Sequence, residues 1–210
     1  MQYIYMDETW NQWPYWKQWN SRYFFIVFLL TKNSSISEQV LKKTFKWMMK
    51  KWIKHKWWVF HTSNELNESR MKILEYSQWK DFMIATYYVD KTNIGGLSKD
   101  PHLLYNNMVI KLLKRCIDKN IILQWEKVQF IAARKETNRF LNKQFTEQIK
   151  YSIEPQIKID VLLRYPLQEK WLQHVDSMAL PILHKYEFNN ITLYNIMKDH
   201  IVIEEEIPRN

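Results

Sequence analysis

Runs of alternating, continuous and three-and-four-spaced apolar positions divide the chain into elements. Residues 3–8 (Tyr-Ile-Tyr-Met-Asp-Glu) start apolar and close on two acids, which predicts a strand ending at carboxylates. Residues 9–20 are polar and predict a loop. Residues 23–30 form the longest apolar stretch, β-branched and aromatic, and predict a second strand. Ser35 or Ser37 can cap a helix reaching about His55, with Val40, Leu41, Phe45, Met48, Met49 and Trp52 at helical spacing. Residues 59–61 read as a short extended piece and 65–77 as a helix. Residues 82–90 predict another strand closing on an acid, Asp90. Residues 92–100 hold both glycines and predict a loop, after which Pro101 opens a helix to about Lys119. Then come a strand at 127–133, a helix at 137–151, a half-buried strand at 156–163 and a helix at 169–186 with Pro181 inside it.

This order, β-β-α-α-β-α-β-α-β-α, predicts an α/β fold with a central mixed sheet and helices on its faces. Residues 1–190 read as one domain. Residues 191–210, with Glu204, Glu205 and Glu206, read as an appended surface extension.

Composition changes this picture in three ways. No stretch approaches the ~18 apolar residues of a membrane span and no leader pattern opens the chain, so the expectation is a soluble, cytoplasmic protein. A single cysteine, Cys116, excludes an intramolecular disulfide and any cysteine-rich metal site; its leucine-rich surroundings predict a core thiol. The net charge of +9 suits a polyanionic partner such as RNA or DNA, and equally suits plain solubility. The lysines around His55 (Lys42, Lys43, Lys46, Lys50, Lys51, Lys54 and Lys56) read as a solvated helix face or a nucleic-acid track.

Beyond these three, glycine and tryptophan usage stands out. There are two glycines and eleven tryptophans, where typical usage predicts about fifteen glycines. Trp10, Trp13, Trp16, Trp19, Trp58 and Trp125 sit where turns ask for a residue free to take positive φ. Two readings follow. UGA codons that encode glycine have been rendered as tryptophan, or the loop is tryptophan-rich and stacks nucleobases.

The candidate chemistry is acidic. Asp7 leaves the first strand and Asp90 the third, and Asp176 lies on the last long helix beside apolar positions, where a carboxylate is costly to bury unpaired. Acids converging above one sheet edge are the arrangement that two-metal phosphodiester hydrolysis uses; an acid opening a turn is the plainer reading of each. Asp7 and Glu8 point to opposite faces if the strand continues through them. His61 can meet a phosphate or a metal, or stand beside a helix capped by Ser63 or Asn64. His174 is not on one helical face with Asp176 and reads as structural. Lys91, Arg134 and Lys135 are candidate phosphate contacts.

These segments resemble, in order, the family catalogued as domain of unknown function 3800. The segments are Met6-Asp7-Glu8-Thr9-Trp10, Phe60-His61-Thr62-Ser63-Asn64, Tyr88-Val89-Asp90-Lys91, Leu104-Tyr105-Asn106 and Lys170-Trp171-Leu172-Gln173-His174-Val175-Asp176. The resemblance spans about residues 3–187. It implies a ribonuclease H-like fold and a nuclease of mobile-element or defence loci, acting on RNA or DNA with Mg²⁺ or Mn²⁺. It makes Asp7 and Asp176 the metal ligands, with Glu8 and Asp90 as helpers. The family has glycine where this chain has Trp10 and Trp171. The chain departs from the pattern in the fourth strand, where Ala132 and Ala133 stand in place of an acid; Glu136 is the candidate substitute. The alternative is an inactive nucleic-acid- or protein-binding module of the same fold.

Overall fold

The computed structural model describes residues 1–9, 21–53, 60, 65–93, 101–133 and 139–207. Six strands, β1 (Gln2–Thr9), β2 (Tyr23–Thr31), β3 (Met83–Asp90), β4 (Val128–Ala133), β5 (Ile159–Arg164) and β6 (Ile201–Glu206), form one sheet in the order β5-β4-β1-β2-β3-β6. The meander β1-β2-β3 is antiparallel, with Asp7 opposite Val27 and Val27 opposite Thr86. Strand β4 pairs parallel with β1 and β5 with β4, as expected of strands separated by the crossover helices α3 (Pro101–Asp118) and α4 (Arg139–Ile153). The first two strands are the antiparallel neighbours that their short connection predicts.

The side-chain period of two sorts the core into two layers. Ile4, Met6, Phe28 and Phe130 pack under α3 and α4. Tyr5, Phe25, Val27 and Leu29 pack under α1 (Ile36–Lys50), α2 (Asn67–Ser77), α5 (Lys170–Phe188) and α6 (Tyr194–Met197). β2 is therefore covered on both faces, which explains its unbroken apolar run; Phe24 to Leu30 are at most 3% exposed. Helix α5 runs on through Pro181 to Asn189, which takes the left-handed conformation that stops it.

Two expectations are corrected. The segment beyond residue 190 is no surface appendage: β6 pairs parallel with β3 and buries Ile203 and Ile207. Its acids are neutralised from across the fold. Glu204 accepts hydrogen bonds from Lys185 (2.5 Å), Tyr186 (2.7 Å) and Tyr194 (2.6 Å), while Glu205 is clasped by Arg115 and Lys119. Second, α1 ends at Lys50, so Trp52 is not part of its apolar face; it is 91% exposed with φ of 56°.

Candidate functional site

Every parallel strand and β3 bring their C-terminal ends to one edge of the sheet, and β1 delivers its two acids there. β1 continues through Thr9, so its alternation persists through Asp7 and Glu8. Tyr5 belongs to the layer under α5, and Asp7, two residues on, shares that face. Glu8 shares the face of Ile4 and Met6, under α3. Both acids are half-buried.

Helix α5, which carries Asp176, covers the Asp7 side of the sheet. The Trp171 indole stacks flat on Tyr5, with centroids 4.6 Å apart and planes 6° from parallel. At the other end of the helix Tyr186 packs on Phe25 and Tyr23, each at 5.4 Å, beside the end where β1 finishes. Counted from the Tyr5–Trp171 stack, Asp7 is displaced about 6.6 Å along its strand and Asp176 about 7.5 Å along its helix, in the same direction. Asp176 is half-buried between Val175 and Ser177, which are both buried.

On the opposite face, Tyr105 of α3 lies over Phe24 (6.5 Å) and Phe145 (5.5 Å), and its hydroxyl hydrogen-bonds to the Glu8 carboxylate. Burial, then the charges of Glu8 and Asp7, push the phenol far above its usual range, so it remains a proton donor to Glu8. Tyr105 is a site residue that sequence reasoning missed; the signal was its place in the Leu104-Tyr105-Asn106 segment. Asn106 beside it donates to the Gln148 side chain (2.6 Å), fixing α3 to α4.

Asp90 does not join this group. It pairs with Tyr23, four residues beyond Thr86, the residue level with Asp7. That puts it about 13 Å further along and two strands across. Arg22 bonds one of its oxygens, and the Thr92 amide (2.9 Å) and hydroxyl (2.6 Å) bond the other. Burial raises its pKa, but these donors outweigh burial and bring it down to about 2. Asp90 is a structural acid that closes β3. Lys91 is 7% exposed, with its ammonium 3.4 Å from the Ser21 hydroxyl and burial lowering its pKa. As placed, it faces protein rather than an incoming phosphate. His61, Arg134, Lys135 and Glu136 lie outside the described residues.

The motif residues near α5 are struts. Gln173 accepts from the Phe60 amide (2.9 Å) and donates to the Pro166 carbonyl (2.7 Å). His174 is buried between Ser37 (2.7 Å) and Ser77 (2.8 Å), tying α1 and α2 to α5 as its structural reading expects. Cys116 is buried in the core, and burial pushes its thiol up to about 12, so it is inert at neutral pH.

Among solved structures, RNase HII from Archaeoglobus fulgidus, in its complex with PCNA, superposes with a TM-score of 0.58 at 6% identity. It covers 95% of this chain and 78% of that one. Ribonuclease H2 from Pyrococcus horikoshii OT3 gives 0.56 at 11% identity, covering 90% of this chain and 74% of that one. The chain has a ribonuclease H-like fold. At these identities the likeness establishes the fold alone. No family model matches the chain, so the resemblance to domain of unknown function 3800 rests on the quoted segments only. No curated protein matches it either.

Within the ribonuclease H-like fold, Asp7 and Glu8 close the central strand at the sheet edge, and Asp176 lies on the helix covering the Asp7 face. Among the described residues no group of three or more His, Cys, Asp or Glu side chains is gathered to hold a metal. Two carboxylates remain a sufficient protein donor set for Mg²⁺, which keeps waters and takes substrate phosphate for the rest. No helix among the described residues is long and apolar enough to cross a membrane.

Proposed function

We propose that this chain is a divalent-metal-dependent nuclease that hydrolyses phosphodiester bonds in RNA or DNA. The observation that supports the reading is that Asp7 closes β1 on the sheet face covered by α5, the helix that carries Asp176, within a ribonuclease H-like fold. The similar solved structures are ribonucleases by name, and the basic charge of the chain agrees with a polyanionic substrate. A mobile-element or defence setting rests on the sequence resemblance alone.

In this proposal Asp7 and Asp176 hold Mg²⁺ or Mn²⁺. When bound, the ion supplies an acidified water and charge stabilisation for an in-line displacement. Glu8 accepts the Tyr105 hydrogen bond and serves as a hydrogen-bond acceptor for water at the strand end. Asp90, engaged by Arg22 and Thr92, acts through the geometry of β3. Glu136 is the candidate for the acid missing at Ala132 and Ala133. His61, Arg134 and Lys135 are the candidate substrate contacts, and Lys91 would serve only if exposed by rearrangement.

Asp7→Asn and Asp176→Asn test the reading, because asparagine keeps the shape and removes the charge. Each is expected to abolish Mn²⁺-dependent cleavage of mixed nucleic acids and to weaken Mn²⁺ binding in calorimetry, with the fold intact. Tyr105→Phe should lower Mn²⁺ affinity several-fold through a less ordered Glu8. Glu136→Gln should reduce cleavage if that residue replaces the missing acid. Glu154→Gln is the appropriate control, exposed in the turn just after α4; Glu205, being ion-paired, is not. Full activity in both aspartate variants, or cleavage unaffected by chelator, would sink the nuclease reading. It would favour the binding module, which the acid-free end of β4 already suits.

A further inference from the structure

In three other helical regions of this protein at least one surface cation is paired with an acid. In α2, Lys72 pairs with Glu75 (2.7 Å). In α4, Lys143 pairs with Glu147 (3.6 Å). Arg115 of α3 and Lys119 just after it share Glu205 of β6. Helix α1 is built differently. Lys42, Lys43, Lys46 and Lys50 are exposed along it and Lys51 follows directly, while its one acid, Glu38, pairs with Lys42 (2.8 Å). Lys42, Lys46 and Lys50 stand four residues apart, and Lys43 and Lys46 three apart. These are the spacings at which like charges on a helix repel. The helix therefore carries an unfavourable charge arrangement that no packing role explains, since its buried side is Val40, Leu41, Thr44 and Met48.

We propose that the exposed face of α1 is a seat for the phosphate backbone of a nucleic acid, separate from the acids of β1 and α5. Lys43, Lys46 and Lys50 form a row with steps of about 4.5–6 Å along the helix, a file of cations suited to successive phosphates of one strand. Lysine serves here as a point charge that follows a backbone without reading its bases. Helix α1 covers the same sheet face that carries Asp7, so a strand held on it lies on the Asp7 side of the molecule. The inference shares its partner with the nuclease reading and needs no metal.

Fluorescence anisotropy of the full chain with labelled single-stranded and duplex oligonucleotides, in chelator and over a series of salt concentrations, tests it. A Lys43→Glu, Lys46→Glu, Lys50→Glu triple variant is expected to lower affinity by tenfold or more. The slope of log affinity against log salt should fall by about 2–3, near 0.9 for each lost phosphate contact on a duplex. The Lys→Gln version should fall less, in the same direction, and guards against misfolding of the charge-reversed protein. A matched variant, Lys114→Glu, Lys158→Glu, Lys198→Glu, changes net charge equally at exposed positions elsewhere and should shift the slope by less than one. Equal losses in both triple variants would assign the effect to net charge and overturn the proposal. So would unchanged binding in the α1 variants, or wild-type binding to phosphatidylserine vesicles but not to oligonucleotides. Cleavage assays run separately: an α1 effect without any cleavage removes the nuclease reading alone, and cleavage with no α1 effect removes this inference alone.

Discussion

Trp171 and Trp52 open the same question and answer it oppositely. Trp171, at the start of α5, is 2% exposed, stacks on Tyr5 and donates its indole N–H to the Ser34 carbonyl at 2.7 Å. Trp52, at the end of α1, is 91% exposed and sits at φ of 56°. There its amide bonds to the Met49 carbonyl and the Ile53 amide to that of Met48, both at 3.1 Å. That pattern closes a helix with a left-handed residue, a place glycine ordinarily fills. Helices α3 and α5 end the same way with Asn120 and Asn189, which tolerate the conformation far better than tryptophan does. The codon hypothesis therefore gains a position it had not included, Trp52. It meets resistance at Trp171, where the family resemblance had suggested glycine. Trp125, in a turn and 82% exposed, sides with Trp52. Trp10, Trp13, Trp16, Trp19 and Trp58 lie outside the described residues.

The largest expected effect is at the packed tryptophan. Trp171→Ala should cost about 3–5 kcal/mol, the usual loss for a large buried aromatic. A urea titration showing under 1 kcal/mol would mean that Trp171 is no more native than Trp52. The same neighbourhood should respond to acid. Burial, and secondarily His200, lower the pKa of His174 to about 3, against about 6.5 in an unfolded chain. Between those values the unfolded state binds the extra proton. The contribution is thus complete above about pH 6.5 and is lost as pH falls toward 3, with a slope of up to about 1.4 kcal/mol per pH unit. A His174→Gln variant that kept the wild-type acid slope would assign that loss to other groups. Trp52→Gly should stabilise by about 1 kcal/mol through relief of the left-handed strain, raising the melting temperature by about 2–4 °C. A fall would show that the exposed indole contributes more than its conformation costs. Trp125→Gly should change stability by less than about 0.5 kcal/mol. At the level of the gene, UGG at position 52 would end the codon explanation there, and UGA at 171 would extend it into the core.

What the sequence shows of this fold is whatever local periodicity encodes. The runs of β1 to β5 and the spaced apolar positions of α1 to α5 were readable because each is written within a few residues of itself. β6 was not. Ile201, Val202 and Ile203 run into three glutamates, and the residues that neutralise Glu204 and Glu205 are 10 to 90 positions away. Asp7 and Asp90 had the same local signature, an acid closing a strand. Only strand pairing, which sets Arg22 beside Asp90, separates the structural acid from the candidate ligand. Tyr105 stands out in the sequence only through its motif, while its contact with Glu8 depends on how α3 crosses the sheet.

The central place of β1 also bears on the order of folding. Its pairing with β2 spans a short connection, whereas its pairing with β4 joins residues more than a hundred positions apart. Contacts close in sequence form sooner, because less chain entropy is lost in closing the loop. An early β1-β2-β3 meander would thus hold Asp7 in register before α5 arrives with Asp176, and Glu8 before α3 arrives with Tyr105. The acids would then belong to the first structure formed, and their arrangement into a site to the last.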